Sequence, residues 1–379
     1  MATDIKDAAR PVDARTLMDL LPNHPRLLAL GEPTHGQDTL LDLRNDVFRD
    51  LVEQEGYRTI AIESDCLKAL LVDDHVTTGA GTLDDVMTHG FSHDWGAFEG
   101  NRDLVRWMRA HNETRPAADH VHFAGFDTPV EITHAESPRA PLTALHTHLA
   151  PPDIDADTLD RLLGPDDRWT DPAAMFDPTR STGRTPEARQ LRALADDLIA
   201  LLDQHPHTPR ASLHARTATA LLRYHHWMAD PTPARMTRLC AQRDAAMAHN
   251  LLALAAQGPT LVHAHNAHLQ RERSSMDLWQ GRAEWWSAGA LAGARLGDDY
   301  AFVATAVGTI RHQGVDTPPA DTLEGLLYDN PAPHHLIAPT HLPTTTPRVS
   351  PWFGYAPLDP AHLKTIDGLV YVRDVTTGH

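Results

Sequence analysis

Glu32, Pro33, Thr34, His35 and Gly36 directly follow a short apolar run, Arg26 to Gly31, and Glu63 closes a second one, Arg58 to Glu63. Asp127 follows a third run in GFDTP, while His263, His265, Asn266 and His268 lie at and just after a fourth in VHAHNAHLQR. Carboxylates beside imidazoles can run general acid and base chemistry: a Glu fixes the tautomer of a His and raises its basicity, and the His then deprotonates water. The same residue types can hold a metal, and His35, Glu63, His265 and His268 would be the set for a divalent cation. The spacing of His265 and His268 permits ligation without being diagnostic, so the leading expectation is a site with no cofactor. Taken singly, each residue has a structural reading, such as a hydrogen-bonded His or a Glu capping the next helix. Burying them together is costly unless their charges are paired or used.

Other chemistries lack their signatures. The chain contains no GxSxG elbow, GxxxxGK[ST] phosphate loop, GxGxxG fingerprint, HExxH or paired CxxC, which disfavours serine-hydrolase and nucleotide-driven mechanisms. Cys66 and Cys240 are the only cysteines, and neither has an activating context; buried structural thiols are expected.

Six runs read as strands buried on both faces: Arg26 to Gly31, Arg58 to Glu63, His120 to Phe126, Thr260 to Ala264, Tyr300 to Thr309 and Gly368 to Arg373. Helical spacing appears between them at Thr39 to Gln54 and Arg102 to Asn112. This alternation predicts an α/β fold with a mostly parallel central sheet flanked by helices. Residues 1–129 and 258–379 would form the core. Between the third and fourth strands, residues 130–257 read as a helical insertion with long helices over Pro186 to Gln204, Ala211 to Met228 and Pro233 to Ala256. Thr317 to Pro360 holds ten of the 29 prolines with Trp352 and Tyr355, which predicts a long ordered loop that could wall a pocket. Glu32, Glu63, Asp127 and the His265 group would then share the carboxyl edge of the sheet, where ligands bind in such folds.

The chain has 379 residues with a formal net charge of -18. Its acidity argues against nucleic acid as a partner, because phosphate backbones demand a basic field. No apolar run approaches a membrane span, and the start MATDIKDAARPVDARTL lacks the apolar segment of a signal peptide. The expectation is a cytoplasmic monomer or homodimer that takes a small or neutral ligand.

LALGEPTHGQDTLLDLRNDVFRDLVEQEGYRTIAIESD, spanning residues 28–65, resembles the opening signature of the erythromycin esterase family. RWMRAHN (Arg106 to Asn112), FAGFD (Phe123 to Asp127), RDAAMAHN (Arg243 to Asn250) and HAHNAHLQR (His263 to Arg271) extend the resemblance in order. It implies hydrolytic opening of a macrolactone with no covalent intermediate and no obligatory metal. By position it implies His35 as the water-activating base, Glu32 and Glu63 as functional carboxylates, Arg44 as a functional arginine and His265 with His268 as the downstream pair. Arg44 could orient a carboxylate or steady an oxyanion, or form a structural ion pair with Glu32 or Glu63. One of His265 and His268 would protonate the leaving alkoxide, and Asp127, Asn266 and Trp107 would contact substrate. The resemblance implies a small-molecule or peptide natural product as substrate; the same residues could serve a tailoring enzyme acting on a macrolide, peptide or polyketide by elimination, dehydration or transacylation, and a third possibility is a self-resistance protein that sequesters a metabolite without turnover.

Overall fold

In a computed structural model, residues 8–376 are described except 132–133, 152, 279–280 and 353. All six expected runs form strands: β1 (Leu27–Glu32), β2 (Thr59–Asp65), β3 (His122–Asp127), β4 (Thr260–His265), β7 (Tyr300–Thr309) and β9 (Gly368–Asp374). The strands the sequence reading lacked are β5 (Arg273–Leu278), β6 (Gly281–Trp286) and β8 (His334–Ile337). The central sheet has the order β3-β2-β4-β1-β7-β9-β8. Every pairing in it is parallel except that of β8 with β9. β5 and β6 form a separate antiparallel hairpin.

Successive strand residues point to opposite faces, and both faces are apolar. Leu28, Leu30, Ile60 and Ile62 enter one core, whereas Leu27, Ala29 and Ala61 enter the other. The first core is covered by α1 (Ala14–Leu20), α2 (Asp38–Gln54), α3 (Ala69–Thr78), α4 (Leu83–His89) and α5 (Glu99–Glu113). Between β3 and β4 run α6 (Arg139–Leu149), α7 (Ala156–Leu163), α8 (Pro186–Leu202), α9 (Pro209–Met228) and α10 (Arg235–Ala255). Helices α6 to α9 build a core of their own around Leu145, Leu163, Leu191 and Leu198. By contrast α10 sends Met247 and Leu251 onto the second sheet face. There it joins α11 (Asn266–Leu269), α12 (Ala288–Leu296) and α13 (Leu323–Tyr328).

Local chemistry fixes the helix starts. Thr185 and Thr208 each accept a backbone N–H three residues on, and the proline that follows each sits at the first helical position, where its missing N–H costs nothing. The segment Thr317 to Pro360 departs from the expected continuous loop, since it contains α13 and β8. Its N–H of Ala356 donates to the carbonyl of Pro33 at 2.8 Å, so the segment runs against the loop that carries Glu32 and His35. Among the described residues no helix is long and apolar enough to cross a membrane.

Candidate active site

The strand order makes β2, β4 and β1 neighbours, so their carboxyl ends deliver side chains to one place. Glu32 and His265 are direct partners across β1 and β4. Two glycines shape this edge. A Cβ on Gly31 would lie 2.1 Å from Oδ1 of Asn266, inside any permitted contact. Gly36 has φ +71 with the Phe98 ring against it, a backbone conformation that other residues adopt only with strain.

Glu32 is buried and receives two imidazoles. Nδ1 of His35 donates to its Oε1 at 2.7 Å, and Nε2 of His263 approaches its Oε2 at 3.2 Å. Nδ1 of His263 in turn donates to the carbonyl of Leu30 at 3.0 Å. Burial alone would raise the Glu32 carboxyl, but His263 and His35 outweigh it and hold it down at about 2. His35 is the open member, with 43% of its side chain exposed, and its Nε2 lies 3.9 Å from Oε2 of Glu63. Burial opposes its protonation, yet the Glu63 charge and the Glu32 hydrogen bond prevail and raise its pKa above 6.5. The His35 ring stands 5.4 Å from the buried Trp95 and 5.4 Å from His265.

Glu63 accepts from three donors: Nη2 of Arg243 at 3.1 Å, Nε2 of His268 at 3.3 Å and the His265 backbone N–H at 2.9 Å. Against burial, the His268 and His35 charges hold its carboxyl well below its ordinary value. Glu63 is therefore a fixed anion, and its depressed pKa makes it a poor proton acceptor. His268 has both ring nitrogens on carboxylates, Nδ1 donating to Oδ1 of Asp244 at 2.7 Å. Despite burial, Asp244 and Glu63 raise it to about 10, so it is a standing cation. Asp244 also accepts from Nε1 of Trp285 at 2.8 Å, which ties the β5–β6 hairpin to the site. Arg243 clamps Asp127 through Nε and Nη2, and His93 bridges Asp127 and Glu131. Burial disfavours the His93 cation, but its hydrogen bonds to those carboxylates carry it to about 9.

His265 is the electrostatic opposite of His268. Its Nδ1 accepts the Ala267 N–H at 3.2 Å, so the ring proton sits on Nε2. Burial and the neighbouring His35 lower it to about 4, which makes it a neutral donor at physiological pH. Among the described residues no group of three or more His, Cys, Asp or Glu is arranged to hold a metal. His268 could join such a set only by giving up a carboxylate hydrogen bond.

The expected site residues divide by place. Glu32, His35, Glu63, His265 and His268 come together, and Asp127 joins them through Arg243. Arg44 stands behind them: fully buried, it donates to the amide oxygens of Asn45 and Asn101, and Asn101 donates to the carbonyl of Trp95. It thus braces the ring that packs on His35, its hydrogen bonds going to amides while the Glu32 charge acts on it without a direct contact. Asn266 is buried and exchanges two hydrogen bonds with the backbone of Thr305, which occupies the atoms expected to meet substrate. Trp107, on α5, packs edge-on against Phe48 at 5.7 Å and beside His111, in the hydrophobic layer under α2. Its spacing of three from Leu104 on an amphipathic helix was the signal for that packing. Arg243, Asp244, His93 and Trp285 were missed as functional residues. Arg243 and Asp244 open RDAAMAHN, one of the segments that carry the resemblance, but no role was attached to either. Neither cysteine reaches the cluster; Cys66 is buried beside Thr217, and burial pushes its thiol up.

The erythromycin esterase family model matches residues 52–376, so Glu32, His35 and Arg44 lie just upstream of the matched segment. Three solved structures share the fold. A protein from Bacillus cereus aligns with TM-score 0.70 at 17% identity, over 98% of this chain and 96% of its own. A succinoglycan biosynthesis protein aligns with TM-score 0.72 at 16% identity over 99% and 97%. A mutant of the erythromycin esterase EreC in its open conformation aligns with TM-score 0.67 at 17% identity over 96% and 93%. No curated protein sequence matches the chain.

Proposed function

The chain belongs to the erythromycin esterase family, and from that premise we propose that it hydrolyses a lactone or ester of a macrolide-like natural product, with His35 activating water. The observation that carries this reading is the His35 ring: Nδ1 is engaged by Glu32 at 2.7 Å while Nε2 stands 3.9 Å from Glu63 Oε2. A water with hydrogen bonds of about 2.8 Å to both atoms fits that gap.

The neutral ring takes a proton from this water at Nε2, and the resulting imidazolium is held between Glu32 and Glu63. The hydroxide adds to the ester carbonyl. Nε2–H of the neutral His265 and the cationic His268 supply the positive field for the oxyanion, a contribution of about 3 kcal/mol per well-placed donor. When the tetrahedral intermediate collapses, His35 returns its proton to the leaving alkoxide, giving an acid and an alcohol. This differs from the sequence expectation, in which His265 or His268 delivered that proton. A group held near 4 has no proton to spare at neutral pH, and one held near 10 releases its proton reluctantly.

The test is a mass-spectrometric turnover assay of the purified protein against a macrolactone panel that includes erythromycin. Hydrolysis adds one water to the substrate; elimination, dehydration or isomerisation does not. Loss of water from a turned-over substrate would replace the hydrolytic reading with the tailoring one, and stoichiometric binding without turnover would favour sequestration.

A further inference from the structure

A cavity of about 550 Å³ lies between α9 and α10, away from the cluster around His35. Its shape follows from the sequence of the two helices. Ala215, Thr219 and Ala220 on α9 face Ala246 and Ala253 on α10, so small side chains leave the groove between them open. Larger cationic ones border it. Arg216 and Arg223 are seven residues apart, two turns along one face of α9, Arg295 of α12 completes the cationic border, and the His249 ring of α10 lies beside it.

In a chain of net charge -18 these arginines would be expected to find acids, and among the described residues they have not. Arg216 is half-buried and donates from Nε to the amide oxygen of Asn250 at 3.1 Å. Among the described residues neither Arg223 nor Arg295 has an ion-pair partner. Asp203 is the one acidic side chain on the described wall. Besides burial, the fields of Arg295, Arg223 and Arg216 push His249 below its ordinary pKa, which reports that the three guanidiniums converge on one region. Guanidinium groups are suited to bidentate contact with tetrahedral oxyanions.

We propose that the groove bordered by Arg216, Arg223, Arg295 and His249 is a binding site for the phosphoryl group of a phosphorylated small molecule, separate from the His35 site. The cations hold the phosphate, and the rest of the cavity receives the organic part of the ligand, since volumes of about 300–1,000 Å³ are those of small-molecule sites. The groove also touches the catalytic edge, because Asn250, which receives Arg216, donates to the carbonyl of Phe126 at 3.1 Å, one residue before Asp127.

The test is calorimetric titration of the full chain with inorganic phosphate and with glycerol phosphate, at ionic strength held constant with sodium chloride. Saturable binding of one equivalent is expected for at least one of the two, weakened at least tenfold in a double variant Arg223→Ala, Arg295→Ala. Both side chains are exposed, so circular dichroism should show the double variant folded. His35→Ala should bind as wild type does, since the two sites are distinct. No saturable binding of either phosphate by the wild-type protein, or unchanged affinity in the folded double variant, would overturn the proposal.

Discussion

Nδ1 of His35 lies 2.7 Å from Oε1 of Glu32, three residues upstream, across a loop that turns at Gly36. That contact sets the tautomer of His35, because a ring donating from Nδ1 carries its lone pair on Nε2 when neutral. Replacing Glu32 with Gln removes the charge and keeps the shape. We expect kcat to fall by about 10² or more, within the range for a positioned acid-base group. The pKa governing activity should fall as well, because one of the two carboxylates that raise His35 is gone. Steady-state kinetics on wild type and E32Q check this, and an unchanged kcat would remove Glu32 from the account.

The sign of the pH dependence follows from the direction of the His35 shift. A base raised above 6.5 works in its deprotonated form, so kcat/KM should rise with pH through an apparent pKa above 6.5 before levelling. A profile that falls across the same range would assign the working form of His35 to the cation.

Arg243 joins Asp127 to Glu63 with one guanidinium, a geometry that a lysine ammonium cannot reproduce. R243K should retain the fold but lose turnover, whereas R243A removes the cation shared by two buried carboxylates, leaving Glu63 to His268 and Asp127 to His93, and should lower stability. Urea denaturation alongside kinetics separates the two effects. Activity near wild type in R243K would reduce Arg243 to a charge balance.

Trp285 acts one step further out. W285F deletes the Nε1–H that Asp244 accepts at 2.8 Å while keeping an aromatic ring. A lost hydrogen bond to a charged group is worth about 1.5–3 kcal/mol, and Asp244 should then hold His268 less firmly. The expected readout is a lower pKa for His268 in histidine NMR, together with reduced kcat and little change in KM. A His268 resonance that titrates as in wild type would show Trp285 to be packing only.

His268 also links the site to stability. Its pKa is raised from 6.5 to about 10 on folding, so its contribution is fully present below 6.5 and is lost as pH climbs through about 10. Denaturation midpoints measured between those limits should decline with pH, and the slope should be shallower in H268N. Equal slopes in the two proteins would contradict the ion-pair assignment.

Much of this arrangement was legible in the sequence, for identifiable reasons. Strands such as TIAIE and YAFVATAVGT are continuous β-branched and apolar runs, and a strand buried on both faces needs that pattern. Glu32, Glu63, Asp127 and His265 were found because a polar residue ending such a run must lie at the sheet edge. The hairpin β5–β6 was illegible because RSSMDL and GRAEWW are largely exposed and carry no buried run. β8 was hidden by its prolines at Pro331, Pro333 and Pro339, which an edge strand tolerates at its ends. Arg243 and Asp244 were missed for a different reason: they face the site from a helix about 110 residues after β3 in the chain, and no local spacing encodes which strand end a distant helix crosses. Arg44 and Trp107 sit in motifs of the resemblance, and their surroundings, buried amides for Arg44 and the layer under α2 for Trp107, are tertiary features that a motif does not encode.

In the proposed reaction His35 takes the proton from water. The most direct measurement is kcat of His35→Ala on the most readily hydrolysed member of the ester panel, with and without added imidazole. Loss of about 10³-fold is expected, with partial recovery as imidazole fills the vacated position. Turnover at the wild-type rate in the folded variant without imidazole would contradict it.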